Sequence, residues 1–143
     1  MAQSEFAYTK APDGHRLHGH ATLGPVHLQV ADLARSVAYY ERVIGLQRLS
    51  SNDSTATLGV RSDGVPLVVL HHLEGAAPVP KRGRLGLYHF AILLPNREAL
   101  GRFISHLASI GAYAGMSDHF VSEAVYLTDA DGLGIEVYAD RPR

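Results

Sequence analysis

Apolar and polar positions alternate most clearly between Ser117 and Tyr138. Val125 and Leu127 flank Tyr126, a polar turn follows at Asp129-Ala130-Asp131-Gly132, and Ile135-Glu136-Val137-Tyr138 resumes the alternation. Period two with Asp-Gly between β-forming runs predicts a hairpin, one strand before the turn and one after it. Glu136 is the odd member of its run, because Glu is disfavoured in strands and rarely buried without compensation. It lies either on a solvent face or on a face that holds a cation, and parity leaves both open.

Upstream, Gly24 to Val30 alternates and predicts a strand. Asp32 then caps a helix whose Leu33, Val37, Tyr40 and Ile44 form one apolar stripe, and Gly45 ends it. Short strands are expected at Leu46 to Ser50, Ala56 to Arg61 and Val65 to Leu73, the last after a turn at Asp63-Gly64. Gly75 to Gly83, with two prolines and Lys81-Arg82, predicts a loop. The pattern then starts again. Gly86 to Leu94 is a strand, Asn96 caps a helix with Leu100, Phe103, Ile104 and Leu107 on one stripe, and Gly111 closes it. His106 falls off that stripe and is expected at the surface.

The chain thus reads as βαβββ twice, an α+β fold. Residues 1–22 form an arm, with a turn at Pro12-Asp13-Gly14, and 23–143 a single domain with modules at about 23–75 and 85–140. Gly24-Pro25-Val26-His27 matches Gly86-Leu87-Tyr88-His89 at an offset of 89 − 27 = 62. Aligning Asp63-Gly64 with Asp131-Gly132 places Val68 opposite Glu136. An internal repeat implies pseudo-twofold geometry, so His27 and His89 are expected to face each other across the axis.

Composition narrows the function classes. A net charge of −1 gives no basic field for nucleic acid, and the absence of cysteine removes disulfides, thiolate ligands and a cysteine nucleophile. No apolar run approaches the ~20 residues of a membrane span, and the polar N-terminus lacks a signal peptide, so a cytoplasmic protein is expected. Histidine is plentiful. His15, His18 and His20 lie in the solvated lead-in, whereas His27 and His89, with Glu136, make a set of two imidazoles and one carboxylate. Such a set holds a divalent metal and leaves coordination positions open for a chelating substrate.

The chain from Gly24 to Arg143 resembles the vicinal oxygen chelate superfamily, which includes glyoxalase I, extradiol dioxygenases and bleomycin or fosfomycin resistance proteins. In that family paired βαβββ modules form a half-open, cup-shaped mixed sheet. His119, Val125, Tyr126, Asp129, Gly132 and Glu136 fall on the spacing of the extradiol dioxygenase pattern, with Ala130 where proline is usual. The runs around His89 and Tyr126 are most similar to the first domain of bacterial two-domain catechol 2,3-dioxygenases.

The resemblance implies a ring-cleavage dioxygenase acting on a small aromatic diol with dioxygen. His27, His89 and Glu136 would bind Fe(II), or another divalent metal such as Mn, Ni or Zn. His119 and Tyr126 would hydrogen-bond the substrate, and a further histidine would act as acid–base catalyst. Parity counted from Val68 favours His72 over His71 for that role. Two alternatives come from the same superfamily. A glyoxalase-I-like lyase or isomerase would need a fourth protein ligand, where the repeat offers Val68. An antibiotic-binding resistance protein would need no metal. A lone domain of this kind is expected to pair as a homodimer, with no nucleic-acid or membrane partner.

Overall fold

The computed structural model describes residues 14, 16–60, 64–78, 86–112, 114–142. The turn at Pro12-Asp13, His15, Asp63 and the Lys81-Arg82 segment lie outside them. The elements are β1 (Val26–Val30), α1 (Leu33–Tyr39), β2 (Gln47–Ser51), β3 (Thr55–Gly59), β4 (Pro66–His72), β5 (His89–Leu93), α2 (Arg97–Ser109), β6 (Gly115–Asp118), β7 (Ser122–Thr128) and β8 (Gly134–Asp140). They form two four-stranded mixed sheets, ordered β1-β4-β3-β2 and β5-β8-β7-β6. In each, the module's first strand runs parallel to its last and the other pairs are antiparallel. The identical order is the duplication seen in the sequence.

Both helix starts follow from their caps. Asp32 Oδ1 accepts from the Arg35 N–H and Asn96 Oδ1 from the Ala99 N–H, each at 2.9 Å. Each occupies one of the donors that a helix N-terminus leaves free. The first apolar stripe is not a uniform α-helix, because α1 gives way at Tyr40 to a π-helical turn that runs to Ile44. Gly45 ends it at φ 83°, a left-handed conformation that suits glycine. The wider turn seats Tyr40 fully in the core, with its ring 6.5 Å from that of Phe90 in the other module.

Alternation sorts each sheet into two faces. Leu28, Val30, Leu58, Val68 and Leu70 point to one side of the first sheet, and Val125, Leu127, Ile135 and Val137 to one side of the second. These sides join the helices in one core. The opposite faces carry His27, Gln29 and His71 in the first sheet and His89, Tyr126 and Glu136 in the second.

The hairpin differs from its sequence reading in one respect. Ser117 to Thr128 is two strands, β6 and β7, broken by a tight turn at His119-Phe120-Val121. Phe120 sits at φ 66°, and the Asp118 carboxylate accepts its N–H at 2.8 Å. That side-chain bond supports a backbone conformation that costs a non-glycine residue about 1–3 kcal/mol.

The second turn is where the modules meet. Asp129 accepts from the backbone N–H of Asp131 at 2.9 Å and of Leu133 at 2.8 Å, shaping the turn. Its other oxygen accepts the Tyr40 hydroxyl at 3.0 Å. Asp131 reaches back to the first module, accepting the Ala31 N–H at 2.9 Å and pairing with Arg35. Burial, then the Asp129 carboxylate, pushes the neighbouring Tyr39 phenol up to about 12. His106 is not a free surface residue. Its Nε2 donates to the Arg42 carbonyl at 2.8 Å, a further tie between modules.

Candidate metal and substrate site

Three pairs of polar side chains stand on the faces opposite the helices. On the first sheet, His27 Nδ1 lies 2.9 Å from His71 Nε2, with the rings stacked at 5.2 Å. On the second, His89 Nε2 lies 3.4 Å from Glu136 Oε2. Next to that pair, His119 Nε2 and the Tyr126 hydroxyl are 2.8 Å apart. Tyr126 is the cross-strand partner of Glu136, so their side chains share one face. Burial first, and then the Glu136 carboxylate, raise the Tyr126 phenol above its ordinary value.

The strand register explains why these groups meet. His89 pairs with Gly134 and Ala91 with Glu136 in the β5–β8 ladder, which sets His89 and Glu136 two residues apart on one face. Gly134 allows the strands this approach, since a Cβ there would lie 3.0 Å from the His89 Cβ. In the first sheet the corresponding pairs are His27 with Val69 and Gln29 with His71. The residue equivalent to Glu136 is therefore His71, at an offset of 136 − 71 = 65. Val68 instead points into the core, fully buried.

This corrects the choice between the two adjacent histidines. His71 stands on the His27 side, whereas His72 is exposed and shares the parity of Leu70. Parity counted from Val68 points to His72 because Val68 itself faces the core and not the site.

The structure also separates what the repeat had suggested would meet. His89 and Glu136 come together, while His27 faces His71. Among the described residues, no three histidine, aspartate or glutamate side chains gather around one point of a single chain. The physical reason is that β1 and β5 are edge strands of different sheets and share no ladder. Equivalent positions in two modules need not be adjacent.

The donor types suit a cation nonetheless. The Glu136 side chain is only 15% exposed, and its one ion-pair partner among the described residues is the His89 imidazole. A carboxylate so placed gains from a nearby cation. A cavity of about 420 Å³ lies against the other pair, lined by His27, Gln29, His71, Leu87 and the two turn aspartates. A second of about 410 Å³ lies between α2 and β6–β7, on the opposite face from His119 and Tyr126. Of the two, the first belongs with the candidate chemistry.

Comparison with known proteins identifies the family. The chain is 45% identical over 127 residues to the catechol-2,3-dioxygenase of Bacillus subtilis, a match covering 89% of this chain and 44% of that enzyme. It thus spans less than half the length of that relative. A crystal structure of a glyoxylase/bleomycin resistance protein/dioxygenase domain from Frankia sp. EAN1pec superposes with a TM-score of 0.70 at 23% identity, covering 85% of this chain and 98% of that one. A lactoylglutathione lyase from Agrobacterium tumefaciens gives a TM-score of 0.65 at 17% identity, covering 85% and 96%. These two likenesses establish the shared fold. The family described as the Glyoxalase/Bleomycin resistance protein/Dioxygenase superfamily matches residues 19–137, and the chain belongs to it.

Proposed function

We propose that the protein is an Fe(II)-dependent extradiol-type ring-cleavage dioxygenase acting on a catechol-like vicinal diol with dioxygen. The observation that carries this reading is the hydrogen-bonded His119–Tyr126 pair beside the His89–Glu136 pair, in a chain 45% identical to a catechol-2,3-dioxygenase. His89, Glu136 and His27 would hold the metal, which when bound supplies the redox chemistry with oxygen.

The chain's own groups orient the substrate and move protons. The Tyr126 hydroxyl and His119 Nε2 together offer a donor and an acceptor to the oxygens of a bound diol. An imidazole is suited to take a diol proton near neutral pH, and His71, beside His27, would take that step. Anaerobic loading with Fe(II), followed by oxygen-consumption assays on a catechol panel, tests the assignment. Absence of oxygen uptake by iron-loaded protein on every catechol would remove it. His119→Ala and Tyr126→Phe are expected to keep the metal content and lower turnover by roughly 10²-fold or more. Unchanged turnover per metal-loaded protein would deny both residues a part in the reaction.

The division of donors between the two sheets supports a homodimer in which His27 of one copy completes the His89–Glu136 pair of the other. Such a site is lost in His27→Ala and in Glu136→Ala but regained when the two variants are mixed, because each hybrid dimer keeps one intact set. Random re-pairing in a twofold dimer is expected to restore about one quarter of the wild-type sites. No recovery on mixing would place each site within one chain.

His71 also favours a second reading. Standing where the first module would offer a carboxylate equivalent to Glu136, it would be a fourth donor, as a glyoxalase-I-like lyase or isomerase would require. Isomerisation of a glutathione hemithioacetal by the metal-loaded protein, without catechol cleavage, would decide for that reading.

A further inference from the structure

The turn between β6 and β7 carries His119 and is built in an unusual way. Phe120 has a positive φ of 66° and is 88% exposed, so no packing holds it there. Val121, also exposed, closes the turn with its N–H on the His119 carbonyl at 2.8 Å. An exposed turn with a disfavoured backbone conformation relaxes to other shapes unless something fixes its ends.

Both ends lead to one residue. On the β6 side, Asp118 accepts the Phe120 N–H with one oxygen, and with the other accepts from Arg141 Nη2 at 2.6 Å. On the β7 side, the Arg141 backbone N–H donates to the Val121 carbonyl at 2.8 Å. The same Arg141 Nη2 lies 3.1 Å from Glu123, which Arg97 at the start of α2 holds from behind at 2.5 Å. Single exposed ion pairs contribute little, but a connected network that also closes backbone bonds selects one geometry. The network lies on the helix side of the sheet, opposite the His119–Tyr126 contact.

We propose that Arg141 is a positioning residue for His119, clamping the β6–β7 turn from behind so that the imidazole rests against the Tyr126 hydroxyl. Arg141 touches neither ring. Its value for turnover rests on the dioxygenase reading, whereas the clamp itself rests on the geometry alone.

The test reads the imidazole directly, in metal-free protein without substrate, by nitrogen-15 NMR of the His119 ring. Wild type is expected to show one tautomer with Nε2 shifted by its bond to Tyr126. Arg141→Ala should move His119 to the averaged signals of a free imidazole, matching those in Tyr126→Phe. Asp118→Asn should do the same. Its amide oxygen still accepts from Phe120, so this exposed substitution keeps a test in hand if Arg141→Ala folds poorly. Arg141→Lys should restore the wild-type signals, and Arg102→Ala, which removes a comparable exposed pair with Glu98, should leave them unchanged. Wild-type ring signals in folded Arg141→Ala or Asp118→Asn would overturn the clamp. In iron-loaded protein the Arg141→Ala change should lower kcat by roughly tenfold or more at unchanged metal content. If no catechol is cleaved even by wild type, the dioxygenase reading fails while the ring signals still decide the clamp.

Discussion

Glu136→Ala is expected to lose its divalent metal during dialysis, with affinity falling by more than roughly 100-fold. Removing a group that merely supports a ligand typically costs about 10–100-fold, and Glu136 is proposed as a ligand itself. Among the described residues, the change deletes the one carboxylate on its face of the second sheet that meets an imidazole. Asp140→Ala, on the exposed end of the same strand, should leave binding untouched. Elemental analysis after dialysis and calorimetric titration with Fe(II) or Mn(II) measure the effect. Wild-type affinity in the Glu136 variant would exclude it as a ligand.

Asp129→Ala should cause a large loss of stability. Asp129 is buried and accepts three donors, the Tyr40 hydroxyl and the N–H groups of Asp131 and Leu133. Leaving a buried donor without its partner costs about 1–3 kcal/mol each, so a total near 3–5 kcal/mol is expected after partial rehydration of the turn. In a chain of this size that lowers Tm by roughly 10 °C or more. Asp32→Ala, which removes only a helix cap, should cost about 1 kcal/mol. Comparable melting of the two variants would show that the inter-module turn is unimportant to stability.

Much of this architecture is legible in the sequence because it rests on local signals. The two helix caps, the stripes of α1 and α2 and the Asp129–Gly132 turn all stand where spacing puts them. The matching of His27 to His89 also survives in the ladders. The second half of the repeat misleads, because its Asp-Gly turns align at an offset of 68 while the strands align at 65. His71 lies seven residues after Gly64 while Glu136 lies four after Gly132, and a turn motif cannot reveal that slip of three. His71 was obscured for this reason. The turn at Phe120 was obscured for another, since exposed Phe and Val look like strand residues until Asp118 is seen to hold the backbone. The bonds from Asp129 and Asp131 to the first module join residues about a hundred positions apart, beyond the reach of any local pattern.

Placing His71 opposite Glu136 in the pseudo-twofold arrangement has a consequence for any anion that enters. Two copies of a perfectly repeated module would present it with identical surroundings on either hand, and it could bind in two opposite poses. Here one module offers two imidazoles and the other an imidazole and a carboxylate. Glu136 is the one carboxylate of this set, so a cation is drawn to the second module, and an anion is kept from that side until the cation is there. The duplication supplied symmetry, and one divergent position gives the surface a polarity that a ligand must follow.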